Sequence, residues 1–174
     1  MSRNTLAKLF ALSSAAICLG TMPGLADNPH CRHVGGGILT NVLQPPPAVD
    51  CLSSPLGLCT DGVATGDLSG SVGVAVLKET GSGGAGTFLT NHHHWVTASG
   101  DTITFQDADL YLLADVNNQY LGNYKYGITI TGGTGAFEGA SGFLDSVFGA
   151  IDFNKGQLTL RYQGTVCFPE VKKP

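Results

Sequence analysis

Three consecutive histidines, His92-His93-His94, with Asp107 and Asp109 downstream, are the densest set of proton-moving or metal-binding groups in the chain. They lie in Thr87 to Leu113, TFLTNHHHWVTASGDTITFQDADLYLL. Three chemistries suit them. A carboxylate that orients an imidazole and stabilises its protonated form makes a general acid/base, here His92 with Asp107. Tyr111, Tyr124 or Tyr126 would then donate to a developing oxyanion. Alternatively, an H-x-H pair on a strand reaches one metal ion, here His92 and His94 with Asp107 or Asp109 as third ligand. In the third use the His–Asp contact is structural, because buried polar groups are paired wherever they occur, and the protein only binds something.

The elements that position these groups are read from residue type and period. Thr87 to Ala98 and Thr102 to Leu113 are rich in Thr, Val, Ile and aromatic residues, with Ser99-Gly100-Asp101 between them, which predicts a β-hairpin. If Ser99 and Gly100 form the loop, His92 lies opposite Asp107 and His94 opposite Phe105. Alternation then puts Phe88, Thr90, His92, His94 and Val96 on one mostly apolar face with Ile103, Phe105, Asp107, Asp109, Tyr111 and Leu113. His93, Trp95 and Asn91 fall on the opposite, mixed face, where Trp95 packs. A three-residue loop with a bulge would shift this pairing by one.

Residues 1–26 read as a secretory signal peptide: Arg3 and Lys8, the apolar run Leu9 to Gly20, then Gly24-Leu25-Ala26 before the cleavage point. That run is too short to span ~30 Å of hydrocarbon, which predicts a secreted or periplasmic protein with no membrane attachment after processing. From Asp27 onward 13 acidic residues face seven basic ones, a formal charge of −6. Nucleic acid, which demands a basic surface, is excluded as a partner. Cys31, Cys51, Cys59 and Cys167 remain, an even number that reads as two disulfides in an exported chain. Three connectivities are open; Cys31 with Cys51 and Cys59 with Cys167 is the favoured one. CxxC spacing for a zinc site is absent.

Residues 27–58, with Gly35-Gly36-Gly37 and Pro45-Pro46-Pro47, lack either period and read as an irregular, disulfide-tied arm. Residues 59–169 alternate throughout: Leu68, Val72, Val74 and Val76; Tyr124, Tyr126, Ile128 and Ile130; Phe143, Val147 and Ile151; Leu158, Leu160, Tyr162 and Val166. Residues 170–174 are a tail. No segment after Cys59 carries a helical period. Six to eight short strands joined by turns predict an all-β antiparallel meander, and closing it into a barrel removes exposed edges. A small barrel is filled by side chains or holds one modest ligand. A serine hydrolase is excluded, since no Gly-x-Ser-x-Gly turn is present. Glu138 and Asp145 sit in glycine-rich surroundings that predict exposure.

Ile130-Thr-Gly-Gly-Thr-Gly-Ala-Phe-Glu-Gly-Ala-Ser-Gly-Phe-Leu144 resembles the GGTGxFxGAxG stretch of the allene oxide cyclase and dirigent protein superfamily, in particular exported bacterial barrel proteins of that kind. Asp152, Gly156, Leu160, Tyr162, Gly164 and Cys167 are similar to the end of those chains. The likeness covers Cys59 to Phe168. The glycines permit a tight corner and a bent sheet, so the motif builds the fold. The resemblance implies an eight-stranded calycin-like barrel with a largely apolar cavity, no cofactor, and a homotrimer. It implies chemistry on a small apolar, lipid-like or phenolic ligand: cyclisation, isomerisation or lyase chemistry, or holding a reactive species in one orientation. Combined with the hairpin, these features predict His92, Asp107 and Tyr111 as catalytic and His94, Phe105, Asp109, Tyr124 and Tyr126 as ligand-binding. A non-catalytic barrel and a metal protein using His92, His94 and Asp107 are the alternatives.

Overall fold

The computed structural model describes residues 30–43, 54–83, 86–115, 117–118 and 121–169. The signal peptide, Cys51 and the tail expected from sequence lie outside these residues. Among the described residues, runs of β-branched and aromatic residues broken by glycine and polar turns form nine strands: β1 Cys31–Leu43, β2 Cys59–Ala64, β3 Gly70–Gly83, β4 Gly86–Thr97, β5 Thr102–Phe105, β6 Ala108–Ala114, β7 Leu121–Gly133, β8 Ser141–Asp152 and β9 Gln157–Cys167. Each pairs antiparallel with its neighbours. β5 and β6 lie end to end between β4 and β7, and β9 pairs back onto β1. The result is a closed eight-stranded antiparallel barrel, which leaves no sheet edge open.

Cys31–Leu43 corrects the expectation of an irregular arm: it is a barrel stave, paired with β9 along Cys31 to Asn41 and with β2 along Ile38 to Leu43. Its three glycines, which read as loop in sequence, serve a close approach. The segment Thr65–Asp67 folds across the strand, with Thr65 N–H donating to Gly37 O at 2.8 Å and Asp67 N–H to Gly35 O at 3.1 Å. A Cβ on Gly36 would overlap the Thr65 carbonyl and the Tyr162 ring.

The favoured disulfide pairing is corrected as well. Cys31 bonds Cys167, its register partner across the β1–β9 seam, so the bridge staples the first stave to the last. Cys59 is also in a disulfide. The expected pairing tied Cys31 to Cys51 within the arm and gave Cys167 to Cys59, whereas barrel closure brings Cys31 and Cys167 together.

The interior is packed at one end and hollow at the other. The packed end holds Leu68, Trp95, Ile103, Phe105, Ile130, Phe137, Leu144, Tyr162 and Val166. The Gly-rich stretch closes it: Gly135–Phe137 forms a 3-10 turn, with Gly135 at φ 56° and Gly139 at φ 67°, and drops Phe137 into the core. On β8 the buried residues are Leu144, Val147 and Ile151, while Phe143, expected in phase with them, is exposed. A register shift between Phe143 and Ser146 reverses the alternation there.

Candidate functional site

The histidine hairpin is asymmetric. β4 is one continuous strand, but its partner is broken. Near the turn Trp95 faces Ile103 and Val96 faces Thr102. Farther along Asn91 faces Ala108 and Phe88 faces Tyr111. Four steps back on β4 therefore match five forward on the partner, which places one extra residue at Gln106–Asp107. The turn itself holds three residues, Ala98 to Gly100, closed by Thr97 N–H donating to Asp101 O at 2.8 Å.

The extra residue decides which groups face inward. Ile103 and Phe105 of β5 point into the core, as do Leu110 and Leu112 of β6, although the two pairs differ in parity. On β4 the inward residues are Asn91, His93 and Trp95, and His92 and His94 are exposed. The inward placement of His92, His94, Asp107 and Asp109 expected from a bulge-free ladder is thus corrected: these groups are on the outer surface.

His92 Nδ1 and Asp107 Oδ1 do meet, at 2.7 Å, with side chains 49% and 47% exposed. Asp109 accepts a hydrogen bond from Thr90 Oγ1 at 2.6 Å on the same outer face. Tyr111 packs against exposed Phe88 in a tilted pair, with ring centroids 4.4 Å apart. His92, His94 and Asp107 are not gathered into one ligand set: among the described residues no group of three or more His, Cys, Asp or Glu is placed to hold an ion. Glu138 and Asp145 are exposed.

Of the residues predicted to bind ligand, Tyr124 and Tyr126 line the hollow end, and Phe105 is buried beneath it against His93 and Trp95. The cavity measures about 320 Å³, within the range of small-molecule sites. Its walls are mainly apolar, including Val72, Val76, Leu110, Ile128, Val147 and Leu160. Exposed Glu79 and Phe153 also line it. A hydrogen-bonded floor separates it from the packed end. Trp95 Nε1–H donates to Leu68 O at 2.8 Å, Leu68 N–H donates to Tyr162 Oη at 2.8 Å, and Tyr162 O–H donates to Thr65 O at 2.9 Å.

Above that floor lies a polar cluster of which the sequence pointed to Tyr124 and Tyr126, placed Asn91 and His93 on the other face and left Thr40 and Thr60 unnoticed. His93 is 8% exposed and its Nε2 shares a 2.7 Å hydrogen bond with Tyr126 Oη; its Nδ1 has no partner. Asn91, 1% exposed, has neither its Oδ1 nor its Nδ2 paired. Tyr124, 7% exposed, has a free hydroxyl. Two further buried hydroxyls, Thr40 and Thr60, are unpaired on the β1–β2 wall. Native interiors pair such groups almost without exception, because an orphan costs its desolvation. A signal was available in the sequence: Trp95 is the one tryptophan, its burial fixes the parity of β4, and Asn91 and His93 share that parity.

Electrostatically the cluster is neutral. Burial, aided by the neighbouring His92 and partly offset by Asp107, pushes His93 down to about 4, so the imidazole is uncharged at neutral pH. Burial pushes both phenols well above the ordinary tyrosine range, with Tyr126 adding to the effect on Tyr124. No lysine or arginine lines the cavity among the described residues. The site can therefore exchange hydrogen bonds, and a proton at His93, with an uncharged guest.

No protein-family model matches the chain, and no curated protein matches it. Among solved structures, the pterocarpan synthase dirigent protein GePTS1 aligns over 83% of this chain and 89% of its own, at 18% identity and a TM-score of 0.43. The pterocarpan synthase dirigent protein PsPTS1 aligns over 81% and 97%, at 18% identity and a TM-score of 0.40.

Proposed function

We propose that this protein is a small-ligand-binding barrel that takes one mainly apolar molecule into the hollow end and holds it in a fixed orientation, in the manner of a dirigent-type barrel. One observation carries the reading: an apolar cavity of about 320 Å³ whose wall carries buried polar atoms with no partner in the protein. Such atoms cost stability in the empty barrel and are satisfied by a guest, which is the signature of a binding site. The disulfides support work in an oxidising compartment outside the cytoplasm. Native mass spectrometry of protein exported to the periplasm tests the reading. A bound species of a few hundred daltons, lost on denaturation, is expected; a barrel that neither retains a molecule nor gains thermal stability from any apolar probe refutes it.

A second reading has its own observation: His93 lines the cavity with its Nδ1 unpartnered while Tyr126 holds Nε2. A neutral imidazole oriented through one nitrogen is a general base through the other. This would make the protein a cyclase, isomerase or lyase that acts through His93. Turnover of the retained molecule that disappears in His93→Gln while binding persists would identify the enzyme; binding without turnover in the parent leaves the holding role.

A further inference from the structure

The cavity also carries information about the guest's polar group. Resting on the binding role proposed above, we propose that Asn91 and His93 are the specificity-determining pair, and that they select a neutral ligand whose head group places a hydrogen-bond donor beside an acceptor, as a carboxamide or lactam does, on an apolar body. Asn91 is the central observation. Its amide offers one acceptor and one donor, both buried and both free, so it can form two reciprocal hydrogen bonds with a second planar amide-like group. A guest with only an acceptor, or no polar group, leaves one side of Asn91 orphaned. His93 lies two residues along the same face of β4 and presents one more unpaired nitrogen. Its tautomer adjusts through the Tyr126 hydrogen bond, so that nitrogen either donates to or accepts from the guest. Tyr124 Oη, on the β7 side next to Tyr126, supplies a further contact.

Charge narrows the class further. A carboxylate guest would be buried beside an amide, an uncharged imidazole and two un-ionised phenols, with no lysine or arginine among the described residues of the wall to pair it. A cationic head would meet no anion at that depth, since among the described residues the only cavity-lining carboxylate, Glu79, belongs to an exposed residue. Burying either ion without a counter-charge is prohibitive. The apolar remainder would occupy the space walled by Leu110, Ile128 and Val147.

Three probes with one bicyclic body test this at pH 7 by titration calorimetry: naphthalene, 2-naphthamide and 2-naphthoate. Folding of each variant is checked by its circular dichroism and melting curve. The expected order is 2-naphthamide tighter than naphthalene by about tenfold or more, the worth of two or more satisfied hydrogen bonds, with 2-naphthoate weakest. Asn91→Leu should lower 2-naphthamide to the affinity of naphthalene while leaving naphthalene unchanged or improved, and His93→Phe should narrow the gap in part. Binding of naphthalene and 2-naphthamide with equal affinity, preferred binding of 2-naphthoate, or an amide preference that survives Asn91→Leu each overturns the head-group assignment and leaves the cavity role standing. Binding of none of the three by the parent protein overturns both.

Discussion

Asn91→Leu should stabilise the ligand-free protein. The residue is 1% exposed on the inner face of β4, and both polar atoms of its amide are unpaired. A buried polar group without a protein partner costs about 1–3 kcal/mol of desolvation. Leucine removes that cost and adds apolar contact, and the adjoining cavity accepts the changed shape without overpacking. The ligand-free Asn91→Leu variant should therefore gain about 1–3 kcal/mol. With a urea slope of about 2 kcal/mol per molar this moves the midpoint up by about 0.5–1.5 M. For a domain of this size it raises Tm by roughly 3 °C per kcal/mol. The assay is urea unfolding after refolding from denaturant to strip any co-purified molecule, with Asn91→Asp as the contrast. The aspartate places a carboxylate where no cation is present and should lose stability. An Asn91→Leu variant less stable than its parent by more than about 1 kcal/mol would refute the reasoning, because it would mean that Asn91 is already satisfied in the empty barrel.

Three other perturbations follow from the same geometry. His93 is held at about 4 when folded against 6.5 unfolded, so between those values the unfolded chain binds more protons. Stability should then be constant above about pH 6.5 and fall as the pH drops toward 4, by about 3 kcal/mol in all; urea midpoints across this range should show that slope in the parent and lose it in His93→Gln. Tyr162→Phe leaves the buried Leu68 N–H without its acceptor and Thr65 O without its donor, which should cost about 1–3 kcal/mol in the same unfolding assay; an unchanged midpoint would show that the floor is not held by this hydroxyl. His92→Ala breaks a contact between two half-exposed side chains and should change stability by less than about 1 kcal/mol, a bound that a double-mutant cycle with Asp107→Ala checks.

The barrel was legible because its signal is redundant. β3, β7 and β9 each carry the alternation over many residues, and one misread position does not change which face is apolar. The Gly-rich corner was legible for another reason: positive φ at Gly135 and Gly139 is a demand that few other residues meet. β1 was hidden because its glycines answer to a tertiary contact, the Thr65–Asp67 crossing and the Tyr162 ring, which no local pattern reports. The disulfide was hidden likewise, since Cys31 and Cys167 become neighbours only once the barrel closes. For the site the difficulty was parity. His92 and Asp107 were expected at one level of the hairpin and do touch, yet the bulge at Gln106–Asp107 lets Phe105 point inward while Asp107 and Asp109 point outward. The unpaired residue parts Ile103 and Phe105 from the face that carries His92, His94, Asp107 and Asp109, so the apolar pair turns inward while the histidines and aspartates lie on the outer surface.

β4 shows why the hollow end reads as built rather than as a packing defect. Along its inner face the strand runs from Trp95, packed on Tyr162 and hydrogen-bonded to Leu68, through His93 and Asn91, whose polar atoms are mostly unpaired, to Leu89 and Thr87 on the cavity wall. The same strand thus satisfies the indole N–H at its packed end and leaves amide and imidazole atoms unsatisfied two and four residues away. A barrel shaped by stability alone would fill those positions with aliphatic side chains, as β8 does on the inner face with Leu144, Val147 and Ile151. Because the orphaned groups lie above a hydrogen-bonded floor, their cost falls on the hollow end and leaves the packed core intact. Under the binding role proposed above, that separation makes Asn91 and His93 the positions where stability and binding should trade most directly.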